Sequence, residues 1–445
     1  MFRQRLKEFR QSWRLWLTVG IGVKRWLLLL CLGAWLVGIG VLSALAWVHL
    51  AGWLPTAFYE LFALHFLPIG WRAALTLLLG VALTLLAVER LGSRLVAPFR
   101  RPDEGVAESL YRYSKGRRGP RVVAIGGGTG MPGLLRGLKE HTSNITAIVT
   151  VADDGGSSGR LRRELGLLPP GDFRNNIAAL ARDEALMTQL MQYRFGASLP
   201  AEEPGPLRGH AFGNLLLAAL TGITGSFDQA LLAMERVLAM QGRVMPSTLT
   251  PVTLIADVQT PAGLQRVAGE SRIPEAGGRI QRVYLEPTPK AYPPALQAIL
   301  QADLVVMGPG SLYTSVLPNL LVPDLAEALR HTRAPKVYVC NLATQPGETD
   351  GFSVADHVAA LVGHVSADIL DLVLANNNLS VPPDTGGGHT LYVQPIPPSQ
   401  VPMLTADLVD RQRPWRHDSA KVAQVVINLL AANEPGAGGR NSATL

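Results

Sequence analysis

The run from Arg121 to Leu180 constrains this chain more than any other. RVVAIGGGTGMPGLLRGLKEH opens on an apolar strand, turns through glycines and enters a helix; IVTVADDGGSSGRLRREL then gives a second strand ending in paired aspartates. Strand, glycine turn, helix and strand is how α/β proteins build a phosphate-binding edge. Downstream, short β-branched runs alternate with helical stretches: VTLIADV, IQRVYLE, DLVVMG, KVYVCNL, ILDLVLAN and HTLYVQPI are the further strand candidates. Near-continuous apolar strands separated by helices predict an α/β, doubly wound, mostly parallel sheet, enlarged by a helical block from about Gly171 to Gln241. A final helix, about Asp418 to Asn433, opens on Asp418 or Ser419 as its cap and spaces Val422, Val425, Val426, Leu429 and Leu430 as a core stripe.

At 445 residues the chain exceeds one ordinary domain. Two apolar runs, about 26–50 and 69–88, precede the α/β pattern, each near the ~20 residues that cross a bilayer as helix. They predict a membrane anchor over 1–101 with two transmembrane helices. Arg3, Arg5, Lys7, Arg10, Arg14, Lys24 and Arg25 before the first run, and Arg90, Arg94, Arg100 and Arg101 after the second, keep both termini and the α/β domain cytoplasmic. A cleaved signal peptide is the competing reading, against which stand the length of the first run and the presence of the second. Residues 102–120 read as a polar linker, 121–433 as the folded domain and 434–445 as a disordered tail.

The formal charge of +7 resides in the anchor: residues 1–118 carry 16 Lys and Arg against 6 acids, the remainder 25 against 28. The basic partner is therefore anionic membrane lipid, and the soluble part lacks a nucleic-acid signature. Two cysteines, Cys31 and Cys340, form neither a disulfide framework nor a zinc pattern.

Gly126, Gly127, Gly128 and Gly130 follow the first strand, and Pro132 stands where a helix begins. Glycines let backbone N–H groups approach an anion, and the helix start adds a favourable dipole. Gly128, Gly130 and Gly133 satisfy GxGxxG, with Asp153 about twenty residues on, a nominal dinucleotide fingerprint. The same letters also serve a turn that packs a helix on a sheet without any ligand. Asp153 and Asp154 read as acceptors for ribose hydroxyls, as weak candidates for a divalent cation, or as a solvated turn; Ser157 and Ser158 lie in the glycine-rich loop after them. In LPPGDFRNN, Asp172 reads as a helix cap, whereas Arg174 and Asn175 suit polar recognition if that helix start faces the glycine turn. His210 and Asn214, four residues apart, suit a substrate oxygen or a buried histidine equally. The strand DLVVMG ends in a second glycine turn with Gly310 and Ser311, as a ligand cleft between two βα loops requires. Asp350, Asp356 and His357 read as a helix start, and no Ser/His/Asp or Cys/His nucleophile arrangement emerges.

Together IGGGTG (125–130), ADDGGSSGRLR (152–162), LPPGDFRN (168–175), GHAFGN (209–214), GPGSLYTSVLPNLL (308–321), VCNLATQPGET (339–349) and RHD (416–418) closely resemble the CofD/YvcK-like family, specifically its YvcK-like branch, the gluconeogenesis factors. The resemblance covers 121 to about 433 and none of the hairpin. It implies a Rossmann-like CofD fold and binding of UDP-sugars, above all UDP-N-acetylglucosamine, by regulators of carbon-source adaptation, peptidoglycan synthesis and cell shape, with no required cofactor. The CofD branch instead transfers 2-phospholactate from a nucleotide diphosphate with magnesium. LPPGD, where that branch carries an SPD-type motif, favours the regulator. By matching motif, Gly127, Gly128, Thr129 and Gly130 would face phosphate, Asp153 and Asp154 the nucleoside or a cation, and Arg416 the diphosphate or sugar. Asn214, Gly310 and Ser311 would close the cleft, with Ser157, Ser158, Arg174, Asn175 and His210 in the same binding set. The expected protein is a membrane-anchored UDP-sugar sensor in a bacterial membrane, serving an unidentified protein partner, with a homo-oligomer left open. A Mg²⁺-dependent CofD-type phosphotransferase and an NAD-dependent oxidoreductase are the alternatives.

Overall fold

The computed structural model describes residues 24–53, then 55, 64, 67–71, 74–80 and 82–84, and residues 119–433 apart from 183, 197–204 and 381–390. The linker expected at 102–120, except 119 and 120, and the tail expected from 434 lie outside the described residues. The chain divides into two units, Met1–Lys115 and Gly116–Leu445.

In the first unit, helix α1 (Lys24–Leu50) contains one stretch, Leu32–Leu50, long and apolar enough to cross a membrane. Its side chains are not buried inside the unit: Trp35, Val37 and Trp47 are each more than 60% exposed. The second expected span is not supported. Ile69–Thr84 is an apolar helix of the shorter class, and 16 residues at ~1.5 Å each give about 24 Å, short of a ~30 Å hydrocarbon layer.

The second unit is built on a seven-stranded, wholly parallel sheet. Its strands are β1 (Val122–Gly126), β2 (Ile145–Val149), β3 (Arg243–Pro246), β7 (Leu304–Met307), β8 (Lys336–Val339), β9 (Leu372–Asn376) and β10 (Met403–Ala406). They lie in the order β10-β9-β8-β7-β1-β2-β3. β1, β7 and β8 are buried at every residue, as strands covered on both faces require. The chain winds outward from β1 through β2 to β3, then returns to the other side of β1 with β7. That reversal puts the carboxyl ends of β1 and β7 side by side, Ile125 paired with Met307, at the switch point where open α/β sheets bind ligands.

Helix α2 (Met131–Leu138) follows β1, and α3 (Gly156–Leu165) and α4 (Gly171–Leu180) follow β2. α4 opens the expected helical block, which continues through α5 (Glu184–Gln192), α6 (Phe212–Thr224) and α7 (Phe227–Val237). The carboxyl-terminal helix, α8 (Ser419–Asn433), packs on α2, its start fixed by Asp418, whose Oδ1 accepts from Ala420 N at 2.9 Å and Lys421 N at 3.0 Å.

VTLIADV and IQRVYLE do not join the main sheet. They form β4 (Thr253–Thr260) and β6 (Arg279–Glu286), which with β5 (Gly263–Ala268) make a separate antiparallel ribbon of order β5-β4-β6. The physical mark is alternation: β6 buries Ile280, Val283 and Leu285 and exposes Arg279, Gln281, Arg282 and Glu286, the habit of a sheet with one wet face. HTLYVQPI yields only an isolated bridge, Ala343 with Tyr392. β11 (Val409–Asp410) and β12 (Arg413–His417) make a short hairpin that delivers the RHD motif to α8.

Candidate functional site

The two glycine turns lie against each other at the switch point. Gly128 has φ +64°, a left-handed conformation that glycine adopts without steric cost. A Cβ on Gly130 would stand 2.5 Å from the Pro309 carbonyl oxygen, so only glycine admits this approach of the two loops. Asn319, wholly buried, stitches them: its Nδ2 donates to Gly126 O at 3.0 Å and to Ser315 O at 2.8 Å. Asn341 and Gln345 fix the second turn, Asn341 Oδ1 accepting from Gly310 N at 3.2 Å and Gln345 Nε2 donating to Ser311 Oγ at 2.6 Å.

A cleft of about 380 Å³ opens here, walled by Thr129 and Gly130, by Pro309 to Ser311, by Asn341 to Pro346, and by Arg136, Arg413, Trp415 and Arg416. Thr129, Gly130, Gly310, Ser311 and Arg416 are thus brought together as the sequence predicts. Burial and the charges of Arg413 and Arg136 lower the Arg416 pKa, the mark of three crowded guanidiniums. Asp410 meets one of them, Arg413, at 3.2 Å. A helix start and convergent guanidiniums form an anion site, and Trp415, 41% exposed, keeps a ring face open for stacking.

The other predicted residues do not line this cleft. They gather in a buried polar network beside Gly127. Arg174 Nη1 donates to Asn214 Oδ1 at 3.2 Å, Asn214 Nδ2 donates to Ser157 Oγ at 3.0 Å, and Ser157 Oγ meets His210 Nδ1 at 3.0 Å. Burial, then the Arg160 charge, lowers the His210 pKa, so the neutral ring accepts the Ser157 hydroxyl at Nδ1 and keeps its proton on Nε2. Asn175 Oδ1 accepts from Arg174 Nη2 at 3.0 Å. Asp153 Oδ1 accepts from Gly155 N at 2.9 Å, Asp154 Oδ1 from Ser271 N at 2.9 Å, and Ser158 donates to Asp153. Among the described residues no three His, Cys, Asp or Glu side chains converge as a metal-holding group.

Asp172 does not cap its helix. α4 has no side-chain cap, and Asp172 reaches the glycine turn, accepting the Gly128 N–H. Burial and the Asp153 charge push it up to about 7; burial and the surrounding carboxylates push Glu270 up to about 8.

Glu348 is a third such acid, 8% exposed, accepting from Thr314 Oγ1 at 3.0 Å and held up to about 7 by burial, with Oε2 buried and unpartnered. Its folded pKa lies above the ~4.3 of an exposed glutamate, so the stability it contributes is present at acid pH and lost as pH rises through about 7. Glu348→Gln is therefore expected to unfold with wild-type midpoint near pH 5 but a few degrees higher near pH 8.5. An equal midpoint difference at both pH values in thermal scans would refute this.

The family model described as 2-phospho-L-lactate transferase CofD matches residues 122–432. The chain belongs to the CofD family. The "Gluconeogenesis factor" of Bacillus subtilis is 43% identical over 321 residues, 70% of this chain and 98% of that protein. The "Putative gluconeogenesis factor" of Nostoc sp. is 46% identical over 368 residues, 81% of this chain and 77% of the relative. A crystal structure of a Bacillus halodurans protein superimposes with a TM-score of 0.64 at 43% identity, covering 70% of this chain and all of that one. Within the CofD family the chain thus sits with the gluconeogenesis factors, the YvcK-like branch. Residues 122–445 make up less than three quarters of the sequence, so the 81% shared with the Nostoc protein reaches into the region before the CofD domain.

Sequence reasoning missed Arg136, Arg413, Trp415, Asn341, Gln345 and Asn319 as cleft or loop-holding residues, and Glu270 and Glu348 as buried acids. Asn341 and Gln345 stand inside the VCNLATQPGET motif and Arg413 and Trp415 just before RHD, so adjacency to a motif was the available signal. Glu270 carried none.

Proposed function

We propose that this CofD-family protein binds a UDP-sugar, UDP-N-acetylglucosamine, and acts as a regulator in carbon-source adaptation, peptidoglycan synthesis and cell shape, held at the cytoplasmic face of a bacterial membrane by its apolar amino-terminal helix. The observation that carries the reading is the cleft that joins a glycine-turn helix start to Arg136, Arg413, Arg416 and Trp415. A diphosphate supplies the anion this wall favours, uracil has a π-face for Trp415, and sugar hydroxyls suit the amides and hydroxyls of Asn341, Thr344 and Gln345. Its volume of about 380 Å³ is within the ~300–1,000 Å³ of ligand sites. The regulatory role follows the relatives' name, and the membrane role follows Leu32–Leu50.

Calorimetric titration of the full chain in detergent with UDP-N-acetylglucosamine, beside UDP-glucose, GDP and NAD and with and without Mg²⁺, tests it. Saturable UDP-sugar binding without product is expected, weakened roughly 10- to 100-fold in Arg416→Ala, the worth of a charge-assisted hydrogen bond or two. Heat from GDP or NAD alone would overturn it. The CofD-type transferase is the second reading, favoured by the description of the matching family model; it requires Mg²⁺-dependent turnover of a nucleotide diphosphate substrate.

A further inference from the structure

A cluster of carboxyl groups lies against the turn that the proposed function assigns to phosphate. A Cβ on Gly127 would stand 2.5 Å from Asp172 Oδ2, and the Gly128 N–H, a donor suited to a phosphate oxygen, is given to this carboxyl. A Cβ on Gly171 would stand 2.8 Å from Asp153 Oδ2. Ser271 N, bonded to Asp154, brings its neighbour Glu270 to the same place, where Glu270 feels Asp153, Asp172, Asp154 and Glu348. The cation facing Asp172 and Asp153 is Arg174, 6% exposed, itself opposed by Arg194. Its Nε is buried with no hydrogen-bond partner, a donor left over beside the turn.

We infer that a phosphate-bearing ligand enters the glycine turn together with a proton, which Asp172 takes from solvent, so that affinity falls as pH rises; this coupling rests on the UDP-sugar reading of the cleft. An ionised Asp172 competes with phosphate for the Gly128 N–H and repels it across a poorly solvated gap. Once protonated, the same group becomes a donor and the repulsion ends. Burial and Asp153 already hold Asp172 at about 7, so the proton is within reach near neutral pH. The linkage has a definite sign. Bound phosphate raises the Asp172 pKa further; above the free value each proton must come from solvent, and Kd rises by up to ~10-fold per pH unit, whereas well below it the dependence vanishes.

UDP-N-acetylglucosamine is the probe, because its diphosphate diester does not itself titrate near neutrality. The full chain in detergent is titrated at about pH 8 in HEPES, tricine and Tris, whose ionisation enthalpies differ, and observed heat is plotted against them. A slope approaching one proton taken up per ligand is expected, falling toward zero in Asp172→Asn while binding persists. Saturable binding with zero slope, or an unchanged slope in Asp172→Asn, overturns the inference. Should that variant not fold, wild-type Kd between about pH 6.5 and 8.5 decides: a flat Kd overturns it, and a rise supports it. Failure to bind at any pH would instead remove the UDP-sugar reading itself, and this inference with it.

Discussion

Gly130→Ala is expected to reduce UDP-N-acetylglucosamine affinity at least ~100-fold, a loss of about 3 kcal/mol. The added methyl would stand 2.5 Å from Pro309 O, 2.9 Å from Pro309 C and 3.2 Å from Gly310 N. All three are backbone atoms of the second turn, so the conflict is not relieved by a side-chain rotation. The two turns must part, and the cleft they share opens at its floor. Gly222→Ala is the matched control: it sits on the exposed face of α6 with nothing within 4 Å of its Cβ position, and it should leave binding unchanged. Calorimetry on both variants checks the claim. Wild-type affinity in Gly130→Ala would show that the approach of the turns is irrelevant to the ligand.

Gly137→Ala is expected to destabilise the CofD domain by about 1–3 kcal/mol, although alanine is the better helix former. α8 crosses α2 at this position: the new methyl would run into the Ser419 carbonyl, with its carbon at 2.8 Å, and stand 2.6 Å from Ala423 Cβ. The backbone carbonyl cannot swing aside as a side-chain end would, so α8 must lift. Because β12 leads directly into α8, Arg416 and Trp415 lift with it. Denaturant unfolding should therefore show a lower midpoint, and titration should show weaker UDP-sugar binding, in one variant with no substitution in the cleft wall. An unchanged midpoint would mean that α8 is free to reseat.

Between Gly127 and Gly130 the first turn has two sides of opposite charge. On the cleft side it meets arginines; beside Gly127 it meets carboxyls. A ligand with a diphosphate and a sugar is asymmetric in charge in the same way, with its phosphates suited to the guanidiniums and its hydroxyls to carboxylate acceptors. The pH behaviour of the free protein runs in parallel: Asp172, Glu270 and Glu348 are all held above their ordinary range, so stability declines as pH climbs through about 7 to 8, in the same range where ligand affinity is expected to fall.

The sequence by itself determined the local pieces. Continuous apolar runs such as VVAI and LVVM dictated buried parallel strands, because a strand covered on both faces has no polar side to declare. Glycines at the ends of two of them marked both turns, since close backbone approach excludes a Cβ. Asp418 announced the last helix. Tertiary structure alone decided which pieces meet. β7 lies beside β1 across 182 residues, a separation visible in the Arg121–Asp303 pair that closes their amino-terminal ends, and no local pattern encodes strand order. The same long-range packing sent VTLIADV and IQRVYLE to a ribbon, carried Arg413 and Arg416 to Arg136, and turned Asp172 from a helix cap into a partner of Gly128. A side chain's local propensity is set by its neighbours in sequence, whereas its charge state and partner are set by whatever the folded chain packs against it, and for Asp172 that partner is the glycine turn.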